Sequence, residues 1–140
     1  MREQTTVGIT IKSATLTPDA ISARLGLKPD RAWLAGSRQG LFGVFASEHG
    51  FILESALGPQ AGLSDHIKAM LQRIAPCAQK IGELGADVEF SCSMQRKVSP
   101  PLRFEPNDLR WLAAMGARLT VDTLILTEPV KPAPGAKPGP

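Results

Sequence analysis

Tyrosine is absent from this sequence, and phenylalanine and tryptophan together make up only 5% of its 140 residues. Modules that hold single-stranded nucleic acid stack its bases on exposed aromatic rings, so the shortage weighs against that class of partner. Charge of one sign is also lacking. Sixteen basic against 13 acidic residues leave a net +3, part of it contributed by Lys131 and Lys137 near the end of the chain. A polyanion-binding surface needs clustered cations, and the one small cluster, QRKVSPP, reads as a solvated segment. Cysteine and histidine number two each, with no CxxC or zinc-ligand spacing, which excludes the common zinc modules and leaves no metal or cofactor expected. Cys77 and Cys92 read as reduced thiols in a core. No apolar run approaches the ~20 residues of a membrane span, and MREQTTVGITIK has no apolar leader region. The expectation is a cytoplasmic protein with no membrane partner.

What is present is a regular grammar of short elements. Residues 5–12 alternate, with Val7, Ile9 and Ile11 on one face, the pattern of a half-buried strand. In LTPDAISARLGLKP, Thr17 is an N-cap, Pro18 suits the first helical position and Asp19 meets the positive end of the helix dipole. Gly26 then supplies a left-handed stop and Pro29 prevents continuation. AWLAGS, GLFGVFAS and GFILES read as short strands, with SEHG as a hairpin turn between the last two. Ser64 is expected to cap a long helix with the apolar stripe Ile67, Met70, Leu71, Ile74, Ala78, Ile81, Leu84, kinked or broken at Pro76 and stopped by Gly85. DVEFSCSM alternates again. Pro106 opens a short helix carrying Leu109, Leu112 and Ala113, Gly116 stops it, and ARLTVDTLILT reads as a last strand flanked or covered on both sides.

The order β-α-β-β-α-β followed by α-β predicts an α+β fold, a ferredoxin-like βαββαβ sandwich with an added C-terminal helix–strand unit. One domain is expected over residues 1–127, and the Pro/Ala/Gly-rich segment 128–140 reads as a disordered tail. The segments LTPDAISARLGLKP, GFILES, LSDHIKAMLQRIAP and LRWLAAMGARLTVDTLIL together resemble the DUF4279 family, small bacterial proteins grouped as a domain of unknown function. The likeness covers most of the chain, from about residue 7 to residue 126, and leaves the tail out. Its motif is P-x-x-I-S-x-x-L-G-L-x-P at 18–29, with a late helix–Gly–Ala–strand segment that contains Asp122. Where members place an aromatic shortly after that aspartate, this chain has Thr123 and Leu124. The resemblance implies the architecture and an immunity-like or regulatory role; it brings no reaction with it.

Nucleophilic catalysis would pair a Ser or Cys with a base, and no local motif does so; His49 in a turn and His66 at a helix start read as surface residues. No catalytic residue is assigned. Although β-α-β-β-α-β is also the order of an RNA-recognition module, Phe42 and Phe45 in RQGLFGVF are three apart and cannot share a strand face. GSRQGLFG lacks the GK[ST] of a phosphate loop. Asp122, set in an apolar strand, either faces solvent or pairs with an arginine or backbone N–H groups as a structural lock; the lock is favoured, with a ligand role as the alternative. Trp111 lies off the apolar stripe of its helix and marks a possible interface. The functional expectation is a non-enzymatic protein-interaction domain that binds a protein partner or itself, with the C-terminal strands pairing across a homodimer as one version. The alternative is a small-molecule-binding domain whose pocket lies between sheet and helices, lined by Trp33, Phe42, Phe51 and Asp122.

Overall fold

A computed structural model describes residues 3–39 and 43–127. Strand β1 (Gln4–Ser13) is followed by α1 (Pro18–Leu25), β2 (Arg31–Trp33), β3 (Arg38–Gln39), β4 (Val44–Phe45) and β5 (His49–Glu54). Helix α2 (Leu63–Ile74), a 3-10 turn (Ala75–Cys77) and α3 (Ala78–Glu83) lead to β6 (Asp87–Arg96), α4 (Pro106–Met115) and β7 (Ala117–Ile125). Five strands form one mixed sheet in the order β2-β5-β1-β6-β7, so the chain is α+β. Every neighbouring pair is antiparallel except β6 and β7, which run parallel across the α4 crossover. Strands β3 and β4 make a separate two-stranded ribbon.

Alternation decides which face is covered. Val7, Ile9 and Ile11 of β1, Phe51 and Leu53 of β5, and Val88, Phe90, Cys92 and Met94 of β6 point to one side. They join Ile21 and Leu25 of α1, the α2 stripe, Ile81 of α3, and Leu112 and Met115 of α4 in one core. The opposite side of the sheet carries Thr6, Thr10, Lys12, Glu89, Ser91 and Ser93, and among the described residues no helix roofs it. This half-covered sheet is what period-two alternation produces.

Local signals act as their chemistry dictates. The Thr17 side chain accepts from the Ala20 N–H, and Gly26 ends α1 in the left-handed region with φ 69°. Pro76 removes a helical N–H and breaks the long helix at the 3-10 turn. Four details differ from the sequence reading. SEHG is not a hairpin turn, since β4 pairs with β3 and β5 pairs with β1 and β2. The cap of α2 is Gly62, without a side-chain hydrogen bond, and Ser64 lies inside the helix. In α4 the inward residues are Leu112 and Met115, leaving Leu109 exposed. Finally, β7 is an outer strand rather than a covered one. The segment expected as a tail, 128–140, lies outside the described residues, as does Phe42.

Candidate functional site: the free edge of β7

A sheet must end somewhere, and its terminal strands present unpaired N–H and C=O groups to whatever can bond them. Strand β7 is nine residues long and pairs only with β6 among the described residues. Its register is Val88↔Ala117 through Arg96↔Ile125. Registered neighbours share a face, so Leu119, Val121, Thr123 and Ile125 lie on the helix side. Arg118, Thr120, Asp122 and Leu124 lie on the open side. Both sides reach water: Leu119 is 42% exposed, Leu124 50% and Ile125 44%.

The hydrogen bonding of β7 has a definite parity. The Leu126 N–H donates to the Arg96 carbonyl at 2.8 Å. In a parallel ladder the N–H and C=O of one residue point the same way. Even-numbered residues therefore bond β6, and Ala117, Leu119, Val121, Thr123 and Ile125 direct both backbone groups outward. The outer edge thus combines a row of backbone donors and acceptors with exposed apolar side chains.

Asp122 sits on this edge. It was expected to be locked by an arginine or by backbone N–H groups. Instead its side chain is exposed and forms no hydrogen bond or ion pair among the described residues. The reason is positional: an outer strand leaves its open face in water, where a carboxylate needs no partner. Arg118, two residues away, pairs with Asp87 at 2.8 Å and approaches Glu89 at 3.7 Å.

The remaining sequence candidates do not converge. Trp33 stands opposite Gly50 on the open face, and its Nε1 donates to the Glu48 carbonyl at 3.0 Å. Phe51 is fully buried on the other face, in the core. Trp33, Phe51 and Asp122 therefore share no pocket, because neighbouring positions on β2 and β5 point to opposite sides and β7 is at the far edge. Trp111, 39% exposed, lines a cleft of about 430 Å³ between α2 and α4, together with Ile67, Leu71, Lys68, Arg103 and Asp108.

Sequence reasoning missed one constellation. His66 was expected at the surface but is buried, and its Nδ1 hydrogen-bonds the Ser55 hydroxyl. The signal was available, since His66 falls in phase with Met70 and Ile74 at intervals of four. His66 Nε2 has no hydrogen-bond partner among the described residues. Burial pushes the imidazole below its ordinary value, and the Arg96 charge adds to this; the Gly58 backbone and Asp65 pull the other way without offsetting it. A serine–histidine pair suits acyl transfer only with an accessible base and a group that stabilises imidazolium. Here the base is buried and an arginine opposes its protonation, so the pair fastens the segment after β5 to α2. Nearby, Arg96 donates to Thr5 Oγ1 and the Ala61 carbonyl.

Burial raises both thiols, Cys92 to about 11, which leaves them protonated and inert. Among the described residues no group of three or more His, Cys, Asp or Glu side chains could hold a metal ion, and no helix is long and apolar enough to cross a membrane.

The family described as domain of unknown function, DUF4279, matches residues 3–126, and the chain belongs to that family. No curated protein and no solved structure matches the chain significantly.

Proposed function

We propose that this chain is a non-enzymatic protein-interaction domain, immunity-like or regulatory, whose docking element is the outer edge of β7. The observation that carries the reading is the pairing of outward backbone groups at alternate residues with exposed Leu119, Leu124 and Ile125 on the same strand. Such an edge is completed when a partner lends a strand: main-chain bonds supply affinity and the alternating side chains supply specificity. Free, buried Cys77 and Cys92 suit the reducing cytoplasm of a bacterial cell. The order β2-β5-β1-β6, antiparallel throughout, with helices on one face, supports a ferredoxin-like sandwich to which α4 and β7 are added.

The test uses Thr123→Pro. Thr123 directs its N–H outward, so proline there removes a docking donor and no bond to β6. The full chain is expected to associate stoichiometrically, with itself or with another protein, and Thr123→Pro to lose that association with its circular dichroism unchanged. A wild-type chain that associates with nothing, or a variant that associates as well as wild type, would refute the reading.

A second reading, small-molecule binding, is supported by the α2–α4 cleft, whose volume lies within the range of ligand sites and whose wall includes Trp111. A metabolite that raises the melting temperature of wild type but not of Trp111→Ala would favour it.

A further inference from the structure

Resting on the docking reading of the β7 edge, we infer that its occupant is a second copy of this chain, added antiparallel about a two-fold axis through Thr120. The argument is one of register. A two-fold axis perpendicular to the sheet places residue i of one strand opposite residue j of the other with i + j constant. It also keeps each face on its own side, so even residues oppose even ones. Several centres satisfy this condition, and side-chain charge separates them.

Centring on Thr120 sets Arg118 opposite the second copy's Asp122, and by symmetry Asp122 opposite the second copy's Arg118. These even positions do not bond outward, so they are non-hydrogen-bonded pairs, in which opposing side chains come closest, with Cβ atoms about 4.5–5.5 Å apart. Arg118 would then stand in a row between Glu89 on its own β6 and the second copy's Asp122, opposite charge on either side. The carboxylate that has no partner among the described residues gains one. On the helix side, Leu119 meets the second copy's Val121 at a hydrogen-bonded pair, so exposed apolar surface is covered at the positions that exchange backbone bonds.

Other centres lose this match. An axis through Val121 puts Arg118 opposite Leu124 and Asp122 opposite Thr120. An axis through Leu119 puts Arg118 opposite Thr120 and Asp122 opposite Gly116. Axes through Arg118 or Asp122 set like charges face to face, which destabilises a sheet pair. The segment R-L-T-V-D is therefore self-complementary in antiparallel pairing about its central threonine and about no neighbouring residue.

Sedimentation equilibrium of the full chain over a concentration series, with charge variants and a cysteine probe, tests the inference. Wild type is expected to dimerise. Asp122→Arg, which sets arginine against arginine twice, should weaken the dimer about tenfold or more. The exchanged double variant Arg118→Asp/Asp122→Arg should associate more tightly than Asp122→Arg alone but more weakly than wild type, because the carboxylate introduced at 118 stands beside Asp87 and Glu89. Thr120→Cys should form a covalent dimer under mild oxidation, because only position 120 faces itself, at a spacing a disulfide spans. Arg118→Cys should not, and the buried native thiols stay out of the reaction. The cross-link decides the matter even if a charge variant fails to fold. A dimer indifferent to Asp122→Arg and not cross-linked by Thr120→Cys uses another surface and overturns the inference. A wild-type chain that stays monomeric overturns it too. If that monomer captures a different protein and Thr123→Pro loses it, the docking reading stands while the self-pairing falls. If it captures nothing, both fall.

Discussion

The two ends of the sheet are built on opposite principles. At one end β2 is only three residues long, and Trp33 lies flat over Gly50, where a Cβ would sit 2.2 Å from the indole ring. Arg31 there pairs with Glu54 at 2.7 Å, and Asp30 accepts from the Glu54 N–H and from Arg73 of α2. Burial pushes the Asp30 carboxyl up, but the Arg73 hydrogen bond, the Glu54 backbone N–H and the Arg73 charge outweigh it and hold it below its ordinary value. At the other end β7 is three times as long, exposes Leu119 and Ile125 on its helix side and Leu124 on its open side, and carries an exposed carboxylate without a partner among the described residues. A short, charged strand tied into the helix layer resists edge-to-edge addition; a long strand with outward backbone groups invites it. One edge of this sheet is finished and the other is open.

The largest expected way to disturb that contrast is Gly82→Ala. A Cβ there would lie 2.1 Å from the Ala114 carbonyl oxygen, so α3 and α4 must separate, and α4 leads through Gly116 into β7. Backbone cannot yield as a side chain can, and a loss of about 3 kcal/mol is expected in guanidinium unfolding, with β7 amides exchanging faster while those of β2 hold. Gly50→Ala attacks the other edge. The obstacle there is the Trp33 ring, which can swing aside, so a loss of about 1–2 kcal/mol is expected, with β7 untouched.

Protonation of His66 acts on the segment after β5 that it holds and, through Arg96, on the open edge. Its folded-state pKa lies below the ordinary 6.5, so the unfolded chain binds the proton more readily. Stability is complete above about 6.5 and falls as the pH drops from there towards the folded value. Asp30, also depressed, adds stability that is complete above about 3.8 and is lost only as the pH falls below that, a separate window. Imidazolium would repel Arg96, whose carbonyl holds the Leu126 N–H, so acid should loosen the far end of β7 first. Unfolding followed from pH 7 to pH 5 should show the decline in wild type and a flatter profile in His66→Gln. The smallest effect on stability belongs to Leu119→Lys, within about 0.5 kcal/mol, because the side chain already reaches water. That variant should nevertheless abolish association at the edge, as read by light scattering.

How much of this was legible follows from which signals are local. The cap of α1, its glycine stop, the break at Pro76 and the alternation of β1 and β6 are decided within a few residues, and each could be read directly. Which strand lies outermost is decided by pairing across the whole chain. LTVDTLIL reads the same in the middle of a sheet as at its edge, so β7 was expected to be covered and Asp122 to be locked. Trp33 over Gly50 depends on a register between residues 17 apart, and no periodicity announces it. His66 is the instructive miss: its place in the α2 stripe was visible, but a polar residue in phase with apolar ones was assigned by chemistry rather than by position. The residues first grouped as a pocket were scattered for the same reason, because Trp33 and Phe51 alternate to opposite faces.

The parallel pairing of β6 and β7 also sets an order of events during synthesis. Strands β1, β2, β5 and β6 can pair once Arg96 has left the ribosome, whereas β7 becomes available only when Ile125 has followed. At about 5–20 residues per second that interval lasts roughly 1.5–6 s. Throughout it the sheet ends at β6, whose inward face carries Phe90, Cys92 and Met94. Each nascent chain therefore passes through a period in which a strand that is later interior to the sheet forms its boundary, and the arrival of α4 and β7 brings that period to a close.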